Sequence, residues 1–296
     1  MKNFILLFTS IFNLFSCQTS EKYYNENRFL SSGSFHINQK WSQETAGYQR
    51  EVFAMVPLEQ KRKFPVVIVL HGNGGRANLF INEFKYLNNK IIIAPQGYKR
   101  SWNIKKEKSK APDLNFIKDI ILYLKQFDNV DSDKISILGS SNGAALVNQI
   151  LIELNDPSIK NAISLVSQLN SFQYHNNKFW SQSNNNFNVS IIPQKGRRIL
   201  FMGGTNDNLA NYYGGEGVLG YVFLNAEESA YIFAKAMGYN GGKIPFNQAK
   251  EGPDNFFKFS YLNGDVIHYR LEGVGHSLGT ISVNVRNIIV DFLNNY

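Results

Sequence analysis

Short apolar runs alternate with longer segments of helical periodicity along most of this chain, from residue 50 to the C-terminus. Residues 65–70 and 90–94 are β-branched runs, which are typical of strands buried on both faces of a sheet. The predicted strands cover residues 52–56, 65–70, 90–94, 134–138, 162–166, 198–202, 256–262 and 266–272, and the predicted helices cover residues 79–87, 113–124, 144–154, 226–237 and 281–293. This alternation predicts an α/β fold with a mostly parallel central sheet and helices on both of its faces.

Three local signals refine this picture. Asp113 stands before the apolar positions of the second helix and is predicted to cap it. Asn263 and Gly264 separate the last two strands and predict a hairpin turn. Residues 172–195 are rich in Asn, Ser and Gln, so they predict a surface insertion, and a position over the functional site is one interpretation.

The N-terminus carries a different pattern. Residues 4–14 are almost wholly apolar, a run too short to cross a bilayer as a mature helix but typical of a secretory signal peptide. The run ends in the sequence LFSC at residues 14–17, which resembles the lipobox of bacterial lipoproteins. We therefore predict a signal peptide over residues 1–16 and a lipid anchor on Cys17, which would hold the protein in the bacterial cell envelope. An ordinary signal peptide with secretion, or a buried N-terminal helix, is the alternative.

C-terminal to this segment, the sequence predicts one folded unit. Residues 17–43 are predicted to form a tether and an N-terminal strand region. Residues 44–296 show neither an internal repeat nor a linker and are predicted to form a single domain.

Composition and charge narrow the possible classes. The 296 residues are 43% hydrophobic and include one cysteine, which excludes a disordered chain, a disulfide-stapled miniprotein and a structural zinc finger. The net charge of +8 raises the question of nucleic-acid binding. The Lys and Arg residues cluster mainly at residues 99–110, in one predicted loop without a nucleic-acid motif, so no nucleic-acid partner is expected.

The pattern Gly-x-Ser-x-Gly occurs around Ser141 and again around Ser277. Its chemistry requires a strand, a strained turn and a helix, because this arrangement exposes the serine oxygen and aims the helix N-terminus at the developing oxyanion. In the α/β-hydrolase order the serine precedes its acid and its histidine. No histidine follows Ser277, whereas several follow Ser141. Ser141 is therefore the predicted nucleophile.

The same chain order selects the base. His276 lies in a Gly-rich loop between the last strand and the last helix, where a mobile base is commonly held. His175 falls in the Asn-rich insertion, and His268 falls inside a strand pattern, where it is a filler or a surface residue. His276 is therefore the predicted base.

The acid is expected after a late strand and before the base. Asp207 follows the strand at residues 198–202 and is the predicted acid, with a turn aspartate as the alternative. Asp254 and Asp265 are weaker candidates, because the first follows a proline in a loop and the second completes a hairpin turn.

An oxyanion hole needs two N–H groups near the reacting carbonyl oxygen. The backbone N–H of Asn142, directly after the nucleophile, is one predicted donor, and that of Asn73, in the Gly-rich loop 71–75, is the other. His71 begins this loop and is interpreted as a residue that holds the loop rather than as a base.

Together these motifs resemble those of the polyhydroxybutyrate depolymerase-like and feruloyl-esterase-like α/β-hydrolases, relatives of carbohydrate esterase family one. The likeness extends from about residue 52 to the C-terminus. Its motifs are HGNGG at residues 71–75, APQG at 94–97, SW at 101–102, GSSNG at 139–143, GGTND at 203–207, YGG at 213–215 and GVGHS at 273–277. Two positions depart from the family pattern: Asn73 replaces a frequent cysteine, and Ala144 replaces a usual glycine.

The resemblance implies a serine esterase that works through an acyl-enzyme, without a metal or an organic cofactor. It implies feruloyl or acetyl esters of polysaccharides, or hydroxyalkanoate-type polyesters, as substrates. Trp102, Tyr212 and Tyr213 are candidates for substrate contacts, with core packing as the alternative for Trp102. A serine peptidase on the same scaffold, or a catalytically silent lipoprotein that binds glycans, remains an alternative function, because a triad alone does not select the substrate.

Overall fold

The computed structural model describes residues 28–59, 63–278 and 282–295. The predicted signal peptide and Cys17 lie outside these residues. Within the described ranges, no helix combines the length and the apolar character that crossing a membrane requires.

A large sheet forms the centre of the molecule. The described strands are β1 (Gly33–Trp41), β2 (Glu44–Met55), β3 (Phe64–Leu70), β4 (Ile91–Pro95), β5 (Val130–Ser140), β6 (Ile159–Leu165), β7 (Tyr174–His175), β8 (Lys178–Ser181), β9 (Val189–Ile191), β10 (Arg198–Gly204), β11 (Gly215–Glu216), β12 (Val222–Phe223), β13 (Lys250–Glu251), β14 (Phe256–Tyr261) and β15 (Val266–Leu271). Ten of them form the main sheet in the order β1-β2-β4-β3-β5-β6-β10-β15-β14-β13. The six strands from β4 to β15 in this order are parallel, and antiparallel strands lie at both edges.

Alternating side chains of the central strands fill a core on each face of the sheet. Val66, Ile68 and Leu70 of β3 enter one apolar cluster, whereas Val67 and Val69 enter the other. The helices are α1 (Ala77–Phe80), α2 (Asp113–Leu124), α3 (Asn142–Glu153), α4 (Ala226–Met237) and α5 (Val283–Asn294). Buried residues of α2, α3 and α4 belong to the first cluster, and those of α1 and α5 belong to the second. The mostly parallel sheet with helices on both faces agrees with the prediction.

The first predicted helix is shorter than the pattern suggested. Only Ala77–Phe80 is α-helical, and a 3₁₀ turn over Ile81–Phe84 follows it. Ile81 and Phe84 are both buried, and residues three apart lie on the same side of a 3₁₀ turn. A tighter helix therefore satisfies the same apolar spacing.

Asp113 does not cap α2, so this prediction is wrong. Pro112 occupies the capping position, and Asp113 is the first residue of the helix. Its carboxylate turns inward instead, where it accepts a hydrogen bond from the backbone N–H of Asn103 (2.6 Å) and pairs with Arg50 (2.7 Å).

The Asn-rich insertion folds into a small sheet of β7, β8 and β9. It is anchored on the C-terminal half of α3, where the amide of Gln149 donates to the Trp180 carbonyl (3.0 Å) and the Glu153 carboxylate accepts from the Gln182 N–H (2.9 Å). Phe179 is buried and lies 5.3 Å from Phe233 of α4, ring centre to ring centre. The insertion therefore carries its own apolar anchor, which its polar composition conceals.

Candidate active site

Ser141 occupies a strained turn between β5 and α3. Its backbone has φ 54° and ψ −118°, a conformation that non-glycine residues rarely adopt outside functional turns. A Cβ on Gly139 would lie 2.3 Å from the Gly143 carbonyl oxygen, and a Cβ on Gly143 would lie 2.1 Å from the Leu70 carbonyl oxygen. Gly139 is therefore required for the turn to close on the start of α3, and Gly143 is required for it to pack against β3.

His276 and Asp207 complete a hydrogen-bonded chain that ends at Ser141. The Nε2 atom of His276 lies 2.7 Å from Ser141 Oγ, and its Nδ1 atom lies 2.8 Å from Asp207 Oδ2. The Asp207 side chain is 2% exposed, and its second oxygen accepts hydrogen bonds from the N–H groups of Leu209 and Ala210, both at 2.9 Å. A carboxylate only accepts, so Nδ1 carries the proton and Nε2 is free to accept one from the serine.

Chain topology brings these three residues together. Asp207 follows β10, and His276 follows β15, its parallel neighbour in the sheet. Ser141 follows β5, which lies on the opposite side of β10 from β15, with β6 between β5 and β10. All three side chains therefore stand at the carboxyl edge of the sheet, where ligands of open α/β sheets bind.

The Gly-rich loop after β3 passes directly beside the serine. A Cβ on Gly72 would lie 3.4 Å from the Cβ atom of Ser141. The loop is folded by hydrogen bonds from Gly74 N to the Arg100 carbonyl (2.7 Å) and from Gly75 N to the Gly72 carbonyl (3.0 Å). Asn73 is exposed at this point of the loop.

Asn142 lies on the other side of the serine, as the first residue of α3. The first N–H groups of a helix have no acceptor within the helix, so this N–H is available to a ligand. The two predicted oxyanion donors, Asn73 and Asn142, thus belong to the two segments that flank Ser141.

His71 holds the Gly-rich loop, in agreement with its interpretation from the sequence. Its Nε2 atom accepts a hydrogen bond from Gly97 N (3.0 Å), which places the ring proton on Nδ1, and Nδ1 donates to the Gly72 carbonyl (2.7 Å). Burial lowers the pKa of the His71 imidazole, which favours this neutral form.

The structure buries two of the three predicted substrate contacts, which corrects the prediction for Tyr212 and agrees with the core-packing alternative for Trp102. Trp102 is fully buried, and its indole donates to the His71 carbonyl (2.8 Å). Tyr212 is 1% exposed, and its hydroxyl bonds to His268 and Glu227. Neither ring reaches solvent, so neither lines a substrate pocket. Tyr213 is 55% exposed and remains a candidate.

The residues considered as alternatives for the triad have other partners or other positions in the fold. His268 is buried in β15, where burial lowers its pKa to about 3, and it bonds to Tyr212. Asp265 pairs with Arg198 (3.5 Å). Ser277 lies six residues after the end of β15, so it does not directly follow a strand as Ser141 does.

A buried ion pair that the sequence pattern does not predict supports the nucleophile turn. Arg50 of β2 and Asp113 of α2 are both completely buried, with the guanidinium 3.7 Å from the ring centre of Phe116. Asp113 accepts a hydrogen bond from the backbone N–H of Asn103. The backbone N–H of the preceding residue, Trp102, donates to the side-chain oxygen of Asn142 (2.7 Å). Nothing in the sequence pattern pointed to Arg50, because its partner lies 63 positions away in the chain.

Comparison with known proteins identifies the fold. No protein-family model and no curated protein matches this sequence. Solved structures do match: an acetyl xylan esterase from Aspergillus awamori superposes with a TM-score of 0.61 at 13% identity, over 89% of this chain and 100% of that one. The esterase Est2 of Thermogutta terrifontis gives 0.55 at 15% identity, over 89% and 92%. The fluorophosphonate-binding serine hydrolase F of Staphylococcus aureus gives 0.52 at 13% identity, over 89% and 99%.

At these sequence identities the structural likeness shows the fold alone, and the chemistry of the protein follows from the geometry of the site. The strand order, the helices on both faces and these neighbours agree with one another. The chain adopts the α/β-hydrolase fold.

Proposed function

We propose that this protein is a serine carboxylic-ester hydrolase with Ser141 as nucleophile, His276 as base and Asp207 as the acid that orients the base. The observation that carries this proposal is the continuous hydrogen-bonded chain from Asp207 through His276 to Ser141 Oγ, at 2.8 and 2.7 Å. It ends at a serine held in a strained turn at a helix N-terminus, which is the geometry that acyl transfer requires.

The reaction proceeds in two acyl-transfer steps. His276 Nε2 takes the proton of Ser141 as Oγ forms a bond to the ester carbonyl carbon. The tetrahedral intermediate collapses, the bond to the alkoxy group breaks, and His276 returns the proton to that leaving alcohol. Water then attacks the acyl-enzyme, with its proton passing to His276, and the acid product leaves as Ser141 regains its proton.

The negative charge of the intermediate falls between two backbone segments. The N–H groups of Asn142 and Asn73 are proposed to bind the oxyanion, supported by the contact of their loop and turn with Ser141. The N-terminus of α3, which begins at Asn142, adds its dipole.

The proposed substrates are feruloyl or acetyl esters of polysaccharides, or hydroxyalkanoate-type esters. Support comes from the motifs shared with esterases of these substrates and from the structural likeness to an acetyl xylan esterase. Exposed Tyr213 follows the acid loop and is a proposed contact for such substrates.

Hydrolysis of a short-chain nitrophenyl ester tests the proposal. Ser141→Ala should lower kcat by about 10³-fold or more, because it removes the nucleophile. Ser277→Ala is the matched control, since it alters the second Gly-x-Ser-x-Gly motif, and it should retain most of the activity. Equal turnover by wild type and Ser141→Ala would overturn the proposed mechanism, and a peptide cleaved faster than any ester would favour the peptidase alternative.

We also propose attachment of the protein to the bacterial cell envelope through a lipid on Cys17. The support is the apolar run and the LFSC sequence at residues 14–17. Metabolic labelling with a radioactive fatty acid should mark the wild-type protein and leave Cys17→Ser unmarked. Equal labelling of both proteins would contradict the anchor.

A further inference from the structure

The Asp207 and His276 loops leave neighbouring strands and must hold two side chains within hydrogen-bond distance of each other. Asp207 comes three residues after the end of β10, and His276 comes five residues after the end of β15. Catalytic geometry tolerates displacements of roughly 0.5 Å, and loops of this kind need support from neighbouring groups to reach that accuracy. The contacts between the two loops therefore show which groups hold Asp207 and His276 in place.

Backbone contacts join the loops along their first residues. Thr205 N donates to the Leu271 carbonyl (3.0 Å), and Asn206 N donates to the Val274 carbonyl (2.9 Å). A Cβ on Gly204 would lie 2.2 Å from the Val274 carbonyl oxygen, so the two backbones are in direct contact.

Two side chains of the acid loop join it to the histidine loop: the exposed Asn206 amide donates to the Gly273 carbonyl at 3.2 Å, and the more buried link is Thr205. Its hydroxyl oxygen accepts the N–H of Gly273 at 2.8 Å and donates its proton to the Glu272 carboxylate at 3.2 Å. Thr205 is 8% exposed, so its hydroxyl is largely buried, whereas the Glu272 side chain is 41% exposed. The hydroxyl thus uses both its donor and its acceptor capacity on the histidine loop, two residues before Asp207 on the acid loop.

Glu272 is itself fixed by a larger charged cluster. Its second oxygen accepts a hydrogen bond from Arg270 Nε (2.8 Å), which lowers the pKa of the Glu272 carboxyl and keeps it an acceptor. Arg270 also pairs with Glu227 of α4 (3.2 Å) and lies 4.3 Å from the ring centre of Phe246. The hydroxyl of Thr205 is therefore oriented by groups that are tied to the body of the domain.

We propose that Thr205 is a positioning residue of the active site, whose hydroxyl, oriented by Glu272, holds the histidine loop against the acid loop so that His276 meets both Asp207 and Ser141. This inference rests on the proposed function, since it assigns a role within that triad. It adds a residue that contacts neither the substrate nor the reacting atoms.

The test uses the isosteric pair Thr205→Val and Thr205→Ser in the full chain. Valine keeps the shape and removes the hydroxyl, so we expect kcat on a nitrophenyl ester to fall about 10- to 100-fold with KM within about twofold of wild type. Serine restores the hydroxyl and should recover kcat to within about threefold of wild type. Glu272→Ala, at a more exposed position, should give a smaller loss of kcat than Thr205→Val and serves if valine impairs folding.

A second readout does not depend on turnover. The Nδ1 proton shared by His276 and Asp207 should give a downfield proton NMR resonance that disappears in His276→Ala. We expect this resonance to be broadened in Thr205→Val and retained in Thr205→Ser. Thr205→Val with the resonance and kcat of wild type, or a loss confined to KM, would overturn the proposal. A wild-type protein without Ser141-dependent activity would instead overturn the proposed function, while the resonance would still decide the role of Thr205.

Discussion

Gly143 alone determines whether the turn that carries Ser141 can pack against β3. A methyl group there would meet the Leu70 carbonyl at 2.1 Å, so Gly143→Ala must displace the turn that carries Ser141. We expect this variant to lose at least about 100-fold in kcat, or to fold poorly, because a displacement of roughly 1 Å can cost that much. Gly242→Ala is the matched control, since a methyl group at Gly242 has nothing within 4 Å. Wild-type kcat and melting temperature in Gly143→Ala would contradict this account of the turn.

His268 makes the stability of the fold sensitive to acid. Burial, with a smaller effect from Arg270, lowers its pKa from 6.5 to about 3, so between these values only the unfolded chain takes up a proton. Stability should therefore fall as the pH drops from 6.5 toward 3, by about 2 kcal/mol between pH 7 and pH 5 from this residue alone.

Urea unfolding at the two pH values measures this contribution. His268→Leu removes the group and leaves the Tyr212 hydroxyl its bond to Glu227 (3.2 Å). The variant should lose correspondingly less stability between pH 7 and pH 5 than wild type. The same pH dependence in both proteins would show that His268 is not responsible.

The sequence identified the three proposed catalytic residues because motif and chain order constrain them strongly. Ser141, Asp207 and His276 each follow a strand, and the order of the chain leaves few alternatives. The burial of Trp102 and Tyr212 was not predictable, because whether an aromatic ring lines a pocket or packs inside depends on neighbours distant in sequence.

At the level of elements, β2 and α2 are joined by the buried pair Arg50–Asp113. Asp113→Asn keeps the shape of the side chain and leaves Arg50 as an uncompensated buried charge, so we expect a loss of about 3–5 kcal/mol in the free energy of unfolding. Asp131→Asn is the control, because it breaks an exposed pair with Lys134 and should cost at most about 1 kcal/mol. Similar losses of unfolding free energy in the two variants, measured by urea unfolding, would contradict a large contribution of the buried pair to stability.

Periodicity predicted the elements that are buried on a regular face. The helix at 226–237 matches α4, and the hairpin predicted around Asn263 connects β14 and β15. The β1–β2 hairpin and the small sheet of the insertion were not predicted as such, because their strands are only partly buried and carry weak alternation. The bounds of α2 match the prediction, and only the capping role of Asp113 was wrong, since its carboxylate pairs with Arg50.

For the whole molecule, strand and helix alternation predicted an α/β fold with a mostly parallel sheet, and the motifs with their family resemblance narrowed this prediction to the α/β-hydrolase fold. The positive charge gave no information about the reaction, because the Lys and Arg residues at 99–110 lie in a loop beside the Gly-rich segment rather than on a nucleic-acid motif. Substrate choice was not predictable, since the walls of the site come from loops whose shapes no sequence spacing determines.

The central claim, that Ser141 is a nucleophile activated by His276, is tested most directly by covalent labelling with a fluorophosphonate. In that reaction the serine oxygen forms a bond to phosphorus and fluoride leaves, so the labelled peptide gains a fixed mass. We predict that peptide mass spectrometry finds the label on Ser141 in the wild type, finds none in Ser141→Ala, and finds it forming far more slowly in His276→Ala. Label on Ser277, or labelling of Ser141 at an unchanged rate without His276, would contradict the account.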